Sequence, residues 1–123
     1  MKVSESELKL LTELWKQSPL TVGQVIERVQ KNTDWHANTI KTLLTRLTKK
    51  QAVVRHKDGK RFFYAANITK QVVVTEESEG FLAKFFGGRV APLVAHFSDN
   101  KKLSQKDITE LENILAKLKH NND

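Results

Sequence analysis

The 123-residue sequence contains no cysteine and no long apolar run. Without cysteine the chain can form neither a disulfide framework nor a thiolate metal site, and this composition is expected of a cytoplasmic protein. No segment approaches the roughly 18 consecutive apolar residues that span a membrane, so we expect no membrane partner. The histidines lack the i,i+4 spacing of a helical metal pair, and no side chain resembles a nucleophile placed with its base. The sequence therefore predicts no metal site, no cofactor and no enzyme.

Acidic residues are nearly absent from residues 36–64, where Asp58 is the only one. The same segment contains eight basic residues, and eight minus one gives +7, which equals the formal net charge of the whole chain. The rest of the chain is therefore neutral. A merely solvated surface is not partitioned in this way, whereas a surface that binds a polyanion is. The basic residues are Lys41, Arg46, Lys49, Lys50, Arg55, Lys57, Lys60 and Arg61.

Three segments carry the capping-box pattern of a helix N-terminus, in which a hydroxyl residue is followed three positions later by an acidic or amide residue. The pairs are Ser4 with Glu7, Thr21 with Gln24, and Ser104 with Asp107. We predict that the helices that begin there end near Lys16, Lys31 and His120.

A further helix is predicted over roughly Ala37 to Lys50. At about 100° per residue, its apolar residues fall on one side, and short polar residues set among cations fill the other side. Thr and Asn can hydrogen-bond base edges or phosphates, and Arg can read guanine through two hydrogen bonds. The polar side therefore predicts nucleic-acid recognition rather than a plain solvated face. Its residues are Asn38, Thr39, Lys41, Thr42, Thr45, Arg46 and Lys49, of which Thr39, Thr42 and Arg46 are predicted to contact bases.

A basic hairpin is predicted after this helix. The segments 52–57 and 60–65 alternate as strands do, and Asp58-Gly59 between them is typical of a type I′ turn, which needs positive φ at both central residues. Lys57, Lys60 and Arg61 surround the turn and are predicted to contact phosphates, as are Lys41, Thr45 and Lys49 of the helix. The hairpin is also expected to cover the core, with Phe62 and Tyr64 on its inner side.

Three helices followed by a two-stranded basic hairpin predict a winged helix-turn-helix of mainly α (α+β) class. In that fold one helix enters the major groove of double-stranded DNA, and the hairpin, or wing, contacts the backbone. We predict a DNA-binding domain over residues 1–68.

Residues 69–123 are predicted to form a helical dimerisation domain. Gly87-Gly88 predicts a helix end. About 55 residues without a sheet are too few to bury these apolar side chains alone, so we expect a homodimer; the alternative is an arm that folds back on its own N-terminal domain. The residues predicted at the dimer interface are Phe81, Phe85, Phe86, Ile108, Leu111, Ile114, Leu115 and Leu118.

Residues 35–50, WHANTIKTLLTRLTKK, closely resemble the signature W-S-x-x-T-[IV]-[KR]-T-L-[IL]-x-R-L-x-K-K of the penicillinase-repressor family, and the similarity continues through GKRFFYAA and LSQKDITELENIL. The resemblance implies a dimeric winged-helix transcriptional repressor that binds a pseudo-palindromic operator and controls resistance or metal-homeostasis genes, of β-lactamase or copper-transport type. The family's DNA-reading positions fall on the polar helix face described above.

The chain departs from the family pattern in three places. His36 stands where the family usually has Ser as the N-cap, and His is not among the preferred capping residues. The copper-responsive members carry Cys-x-Cys motifs, and this chain has no cysteine. In the antibiotic-resistance members an inducing protease cuts an Asn–Phe bond, and the corresponding candidate bond here is His96–Phe97. The sequence does not identify the inducing protease or ligand.

Two other functions would also explain the basic segment. A non-specific architectural DNA-binding protein would use the same charge, but its helix face should contain more Lys and Arg and fewer Thr and Asn. A basic protein-interaction module would dock an acidic partner and would not need DNA.

Overall fold

The computed structural model describes residues 1–122, and in that part of the chain it contains six helices and three short strands. Their bounds are α1 Glu5–Lys16, β1 Leu20–Thr21, α2 Val22–Gln30, α3 Ala37–Lys49, β2 Val53–Asp58, β3 Arg61–Ala66, α4 Lys70–Phe85, α5 Val90–Asp99 and α6 Gln105–Asn121. This arrangement confirms the mainly α class with a hairpin wing. Within residues 1–122 no helix has the length and apolar character needed to cross a membrane.

The three predicted capping boxes are all formed. In each, the N-cap hydroxyl accepts a hydrogen bond from the backbone N–H three residues later, and the side chain of that later residue accepts one from the N-cap N–H. At α1 the two distances are 3.1 and 2.9 Å. Each box satisfies two backbone donors that a helix start would otherwise leave unpaired, which explains why α1, α2 and α6 begin where the sequence predicts.

The core of the first unit lies between α1, α2, α3 and the sheet. Helix α3 contributes the apolar stripe that its periodicity predicts: Ile40, Leu43, Leu44 and Leu47 are buried, and Ala37 is half-buried. Leu10 and Leu11 of α1 and Val25 of α2 are completely buried in the same cluster. Burial of this side of α3 leaves the polar side exposed, since side chains three and four positions apart share one face of a helix.

The sheet has three antiparallel strands in the order β1-β3-β2, so the wing is joined by a strand that the sequence analysis does not predict. Strand β1 pairs Leu20 with Tyr64. The hairpin turn also differs from its prediction, because Asp58 pairs with Arg61 and the central residues are Gly59 and Lys60. Of these two only Gly59 has a positive φ, 67°. The type I′ prediction is therefore wrong; a glycine alone in the positive-φ position is typical of type II′.

The structure divides into two compact units, Met1–Ser78 and a second unit that begins at Glu79. The division falls within α4, later than the boundary expected at residue 68, because Val73 in the first half of α4 is buried in the core of the first unit. Helix α4 ends at Phe85, before Gly87 and Gly88, which have φ of 59° and 76°. This confirms the predicted helix end.

Candidate nucleic-acid interface

The polar side of α3 is a continuous exposed face without an acidic residue. The seven residues predicted to contact DNA on this helix are all exposed, and they are Asn38, Thr39, Lys41, Thr42, Thr45, Arg46 and Lys49. A helix of this width fits the major groove of B-DNA. The face therefore presents hydrogen-bonding groups and cations on a rigid element supported by the core.

Two of the threonines on this face use their hydroxyl protons inside the helix. Thr42 Oγ1 donates to the Asn38 carbonyl at 2.9 Å, and Thr45 Oγ1 donates to the Lys41 carbonyl at 3.0 Å. Because a hydroxyl has one proton and two lone pairs, these side chains present an acceptor and a methyl group to a ligand. Such groups suit a base amino group or a thymine methyl better than a phosphate oxygen.

The start of α3 lacks the side-chain cap that α1, α2 and α6 have. His36 is the N-cap residue, and in the described part of the chain its side chain makes no capping hydrogen bond. This agrees with the weak capping expected of imidazole. The first backbone N–H groups of α3 thus have no side-chain partner at the cap.

An open cleft of about 620 Å³ lies between α3 and the wing. Lys41 and Thr45 of the helix and Lys60 and Arg61 of the wing line it together. The two helix residues are at least 15 positions away from the two wing residues in the sequence, and the fold brings all four to one surface. Such a concave, basic surface, with a helix beside a hairpin, is the arrangement by which winged helices contact DNA.

The wing contains an aromatic and cation cluster that sequence reasoning missed. The guanidinium carbon of Arg55 lies 4.4 Å from the centroid of the Phe62 ring, and Lys57 Nζ lies 5.7 Å from it. Phe62 and Tyr64 both lie on the inner side as expected, where they line the cleft beside α3, but Phe62 is 40 % exposed, whereas Tyr64 packs against the core. The ring lies near the wing tip, beyond the core, where cations cover it. The alternation of strand side chains, which puts these residues on one face, could have revealed the cluster.

A buried ion pair near the end of α3 was also missed. Glu7 of α1 is completely buried, and its Oε1 accepts a hydrogen bond from Lys50 Nζ at 2.6 Å. Arg46 Nη2 lies 4.0 Å from the same oxygen. Burial raises the pKa of Glu7, but the hydrogen bonds from Lys50 and Ser4 lower it by more, so the pKa lies below its ordinary value of 4.5. Two of the eight cations of the basic segment are thus paired with a carboxylate within the protein, Lys50 closely and Arg46 at the longer distance.

The residues predicted at the dimer interface lie on α4 and α6, except Phe86, which directly follows α4. Phe85, Ile114, Leu115 and Leu118 are each more than half exposed, and no residue of α5 or α6 within the described range is buried. Phe81 and Ile108 are also exposed, and Phe86 and Leu111 are half-buried. The second unit therefore presents a large apolar surface.

The candidate cleavage bond lies inside a helix. His96 and Phe97 belong to α5, both are exposed, and their ring centroids are 5.7 Å apart. Among residues 1–122 there is no group of three His, Asp or Glu side chains that could hold a metal ion.

The fold and this surface define a winged-helix DNA-binding protein. A family model described as Penicillinase repressor matches residues 3–117. The penicillinase repressor of Bacillus licheniformis is 35% identical over 119 residues, covering 97% of this chain and 93% of that protein. The methicillin resistance regulatory protein MecI of Staphylococcus aureus is 34% identical over 116 residues, covering 94% of each chain.

A solved structure shows the same likeness. The solution structure of the monomeric form of Bacillus licheniformis BlaI, in complex with the blaP half-operator, matches with a TM-score of 0.52 and 37% identity, covering 58% of this chain and 87% of that one. The chain therefore belongs to the penicillinase repressor family and is a DNA-binding transcriptional repressor, not an enzyme.

Proposed function

We propose that this repressor binds a pseudo-palindromic operator in double-stranded DNA as a homodimer and controls resistance or metal-homeostasis genes, of β-lactamase or copper-transport type. The cleft that joins the exposed α3 face to the wing tip carries the proposal. A half-operator is the ligand in the BlaI complex, and a half-site read by each protomer requires two protomers for a palindrome.

The proposed contacts divide into base readers and phosphate anchors. Thr39, Thr42 and Arg46 read bases in the major groove, while cations at the edge of the helix and on the wing anchor the backbone. The phosphate anchors are Lys41, Thr45, Lys49, Lys57, Lys60 and Arg61. Thr45 is the weakest of these, because its hydroxyl proton is already donated to Lys41 O.

The homodimer is supported by the apolar surface of the second unit. Side chains such as Phe85 and Leu115 are 61 % and 56 % exposed, and large exposed apolar surfaces mark interaction sites. Two-fold association of α4 and α6 with a second copy would bury them. Two copies also match the two-fold symmetry of a palindrome.

Selection of genomic DNA fragments on the purified protein at near-physiological salt tests the proposal. We expect enrichment of one palindromic motif upstream of a few genes, whose identities assign the resistance or the metal-homeostasis branch. Uniform retention of all fragments would instead favour a non-specific architectural protein, and no retention would favour a protein-interaction module.

The salt dependence and two variants separate the contact types. If a dimer neutralises roughly 6–8 phosphates, log affinity falls with log salt at a slope near −5 to −7. Arg46→Ala should relax specificity at one base position in each half-site, whereas Lys60→Ala should weaken all sequences alike. A base-specific loss from Lys60→Ala would overturn this division of roles.

Induction by cleavage at His96–Phe97 would require a local change in α5. A protease binds an extended segment, and this bond lies within a helix whose end is held by hydrogen bonds such as Lys102 N to Phe97 O at 2.8 Å. We infer that any inducing protease acts on an opened form of α5. Incubation with the inducing protease, followed by mass spectrometry of the fragments, tests whether this bond is cut.

A further inference from the structure

One carboxylate contacts the basic end of the exposed α3 face. Oε1 of the buried Glu7 accepts from Lys50 Nζ at 2.6 Å, and Arg46 Nη2 lies 4.0 Å from it. Lys50 Nζ also donates to the Lys2 carbonyl at 2.8 Å. Over residues 1–122, Glu7 Oε2 is a buried atom without a hydrogen-bond partner. The carboxylate oxygen nearest to Arg46 is therefore the one that Lys50 already binds.

The three side chains differ in how freely they can reach a ligand. The Glu7 side chain is 0 % exposed, that of Lys50 is 32 % exposed and that of Arg46 is 53 % exposed. An ammonium held by a buried carboxylate and by a backbone carbonyl has two of its three donors occupied. The ammonium of Lys50 is thus already held within the protein, and Arg46 lies 4.0 Å from the same carboxylate oxygen.

We propose that Glu7 is a specificity-determining positioning residue of the DNA interface, which limits sequence-independent binding by holding Lys50 and restraining Arg46. Specificity is a difference between two affinities, and it rises when attraction to the wrong sequence is weakened. Phosphate contacts supply essentially all of the non-specific affinity, so a cation removed from that role lowers non-specific binding most. The inference rests on the proposed operator binding, in which Arg46 reads a base.

Glu7→Gln is the variant that isolates this role. Glutamine has nearly the same shape, and this chain already uses Gln24 at the equivalent position of the α2 capping box. The variant can therefore keep the bond to the Ser4 backbone while it removes the charge and replaces the unpartnered Oε2 with an amide NH2 group. Glu13→Gln is the matched control, since Glu13 is also on α1 and its ion pairs are with Lys16 and Arg28, outside α3 and the wing.

The test compares two duplexes of equal length over a salt series: the motif enriched by genomic selection and a random sequence. For Glu7→Gln we expect affinity for the random duplex to rise about tenfold and its salt slope to steepen by about 1 per protomer, as one more phosphate is neutralised. Affinity for the enriched motif should rise less, so the ratio between the two falls. A residue that only stabilises the fold would not raise affinity for random DNA. Glu13→Gln should change the salt slope and the ratio of the two affinities by less than Glu7→Gln does.

The double variant Glu7→Gln/Lys50→Gln tests whether Lys50 is the cation that the single variant releases. Because it replaces both members of the pair, it also controls for a folding defect. Its salt slope should return to that of the unaltered protein. The inference is overturned if a folded Glu7→Gln, checked by far-ultraviolet circular dichroism, binds random DNA no more tightly, or if the double variant keeps the steeper slope. If the unaltered protein itself does not distinguish the two duplexes, the proposed operator binding fails instead.

Discussion

The buried carboxylate of Glu7 couples the stability of the first unit to pH. Its pKa is lowered in the folded state, because the bonds from Lys50 and Ser4 outweigh the effect of burial. A group with a lowered folded-state pKa contributes stability that is fully present at pH above 4.5 and is lost as the pH falls through the folded-state value. We expect Glu7→Gln to lower the free energy of unfolding at pH 7 by about 1–3 kcal/mol and to flatten its fall in acid.

Urea denaturation at a series of pH values between neutral and strongly acidic measures this effect. Lys50→Met provides the sharper comparison, since it removes the main cause that lowers the pKa of Glu7 and leaves burial opposed only by the hydrogen bonds from Ser4. The pKa of Glu7 should then lie higher than in the unaltered protein, so the loss of stability in acid should begin at a higher pH. Equal pH profiles for the unaltered protein and both variants would show that Glu7 does not carry the coupling.

The absent cap of α3 leads to a second prediction at the residue scale. His36→Ser places a hydroxyl where it can accept from the N–H of Asn38 or Thr39, as the other capped helices do, so the free energy of unfolding should rise by about 1 kcal/mol. His36→Ala is the matched control, because it removes the imidazole without adding an acceptor. Chemical denaturation of the three proteins measures the difference, and a serine variant no more stable than the alanine variant would contradict the explanation.

Single residues also show which features of the candidate site could be predicted from the sequence and which could not. The exposed face of α3 could be predicted because exposure follows from a local period, and all seven residues are exposed as expected. The pair of Glu7 and Lys50 could not, because the two residues are 43 positions apart and only the packing of α1 against α3 joins them. The exposure of Phe62 could not be predicted because alternation gives a face of the hairpin but not the point at which the core ends.

At the scale of elements, local signals predicted helix starts better than strand pairing. A capping box is contained within four residues, so α1, α2 and α6 begin where expected. The register of the wing was off by one residue, because Gly59 can occupy either central position of a tight turn. Strand β1 was missed because two residues carry no periodicity, and Leu20 pairs with Tyr64 only in the folded sheet.

The end of α3 carries a prediction at this scale. Gln51 has φ of 66° and completes a Schellman motif, in which Gln51 N donates to Thr48 O and Ala52 N donates to Leu47 O, both at 3.0 Å. Glycine is preferred at this position because a side chain there is strained. We expect Gln51→Gly to raise the free energy of unfolding by about 0.5–1 kcal/mol, the strain relieved minus the larger entropy of glycine in the unfolded chain.

Thermal unfolding of Gln51→Gly and Lys49→Gly separates this effect from a general effect of glycine. Lys49 lies within α3, so glycine there should destabilise by up to about 1 kcal/mol. Equal destabilisation by both variants would mean that the left-handed residue carries no strain.

At the scale of the whole molecule, the two units differ in how much apolar surface they bury. Leu10, Val25 and Leu47 are inaccessible in the first unit, whereas no residue of α5 or α6 within residues 1–122 is buried. The sequence predicted this because about 55 residues without a sheet are too few to bury the apolar side chains of the second half. The sequence could not predict which surface covers these side chains, since no local pattern specifies a contact with another surface.

The homodimer supplies the last prediction. Leu115 and Leu118 on α6 are 56 % and 52 % exposed, so Leu115→Lys/Leu118→Lys should leave the single chain folded while it places charges in the apolar surface. A charge buried without a partner is costly enough to separate two subunits. We expect sedimentation to give the unaltered protein as a dimer of about 28 kDa, twice the 14.1 kDa chain, and the double variant as a monomer.

Leu8→Lys is the matched control, because Leu8 is an exposed leucine of α1, outside the predicted interface. It should leave the dimer intact. The lysine pair on α6 should also weaken binding to a full palindrome far more than to a half-site, since only a dimer gains from engaging two half-sites at once. Any general gain in phosphate attraction from the added lysines would raise both affinities together and so cannot imitate this pattern. A single species near the mass of one chain for the unaltered protein would rule out the dimer and would leave the apolar surface of α4 and α6 for a different partner.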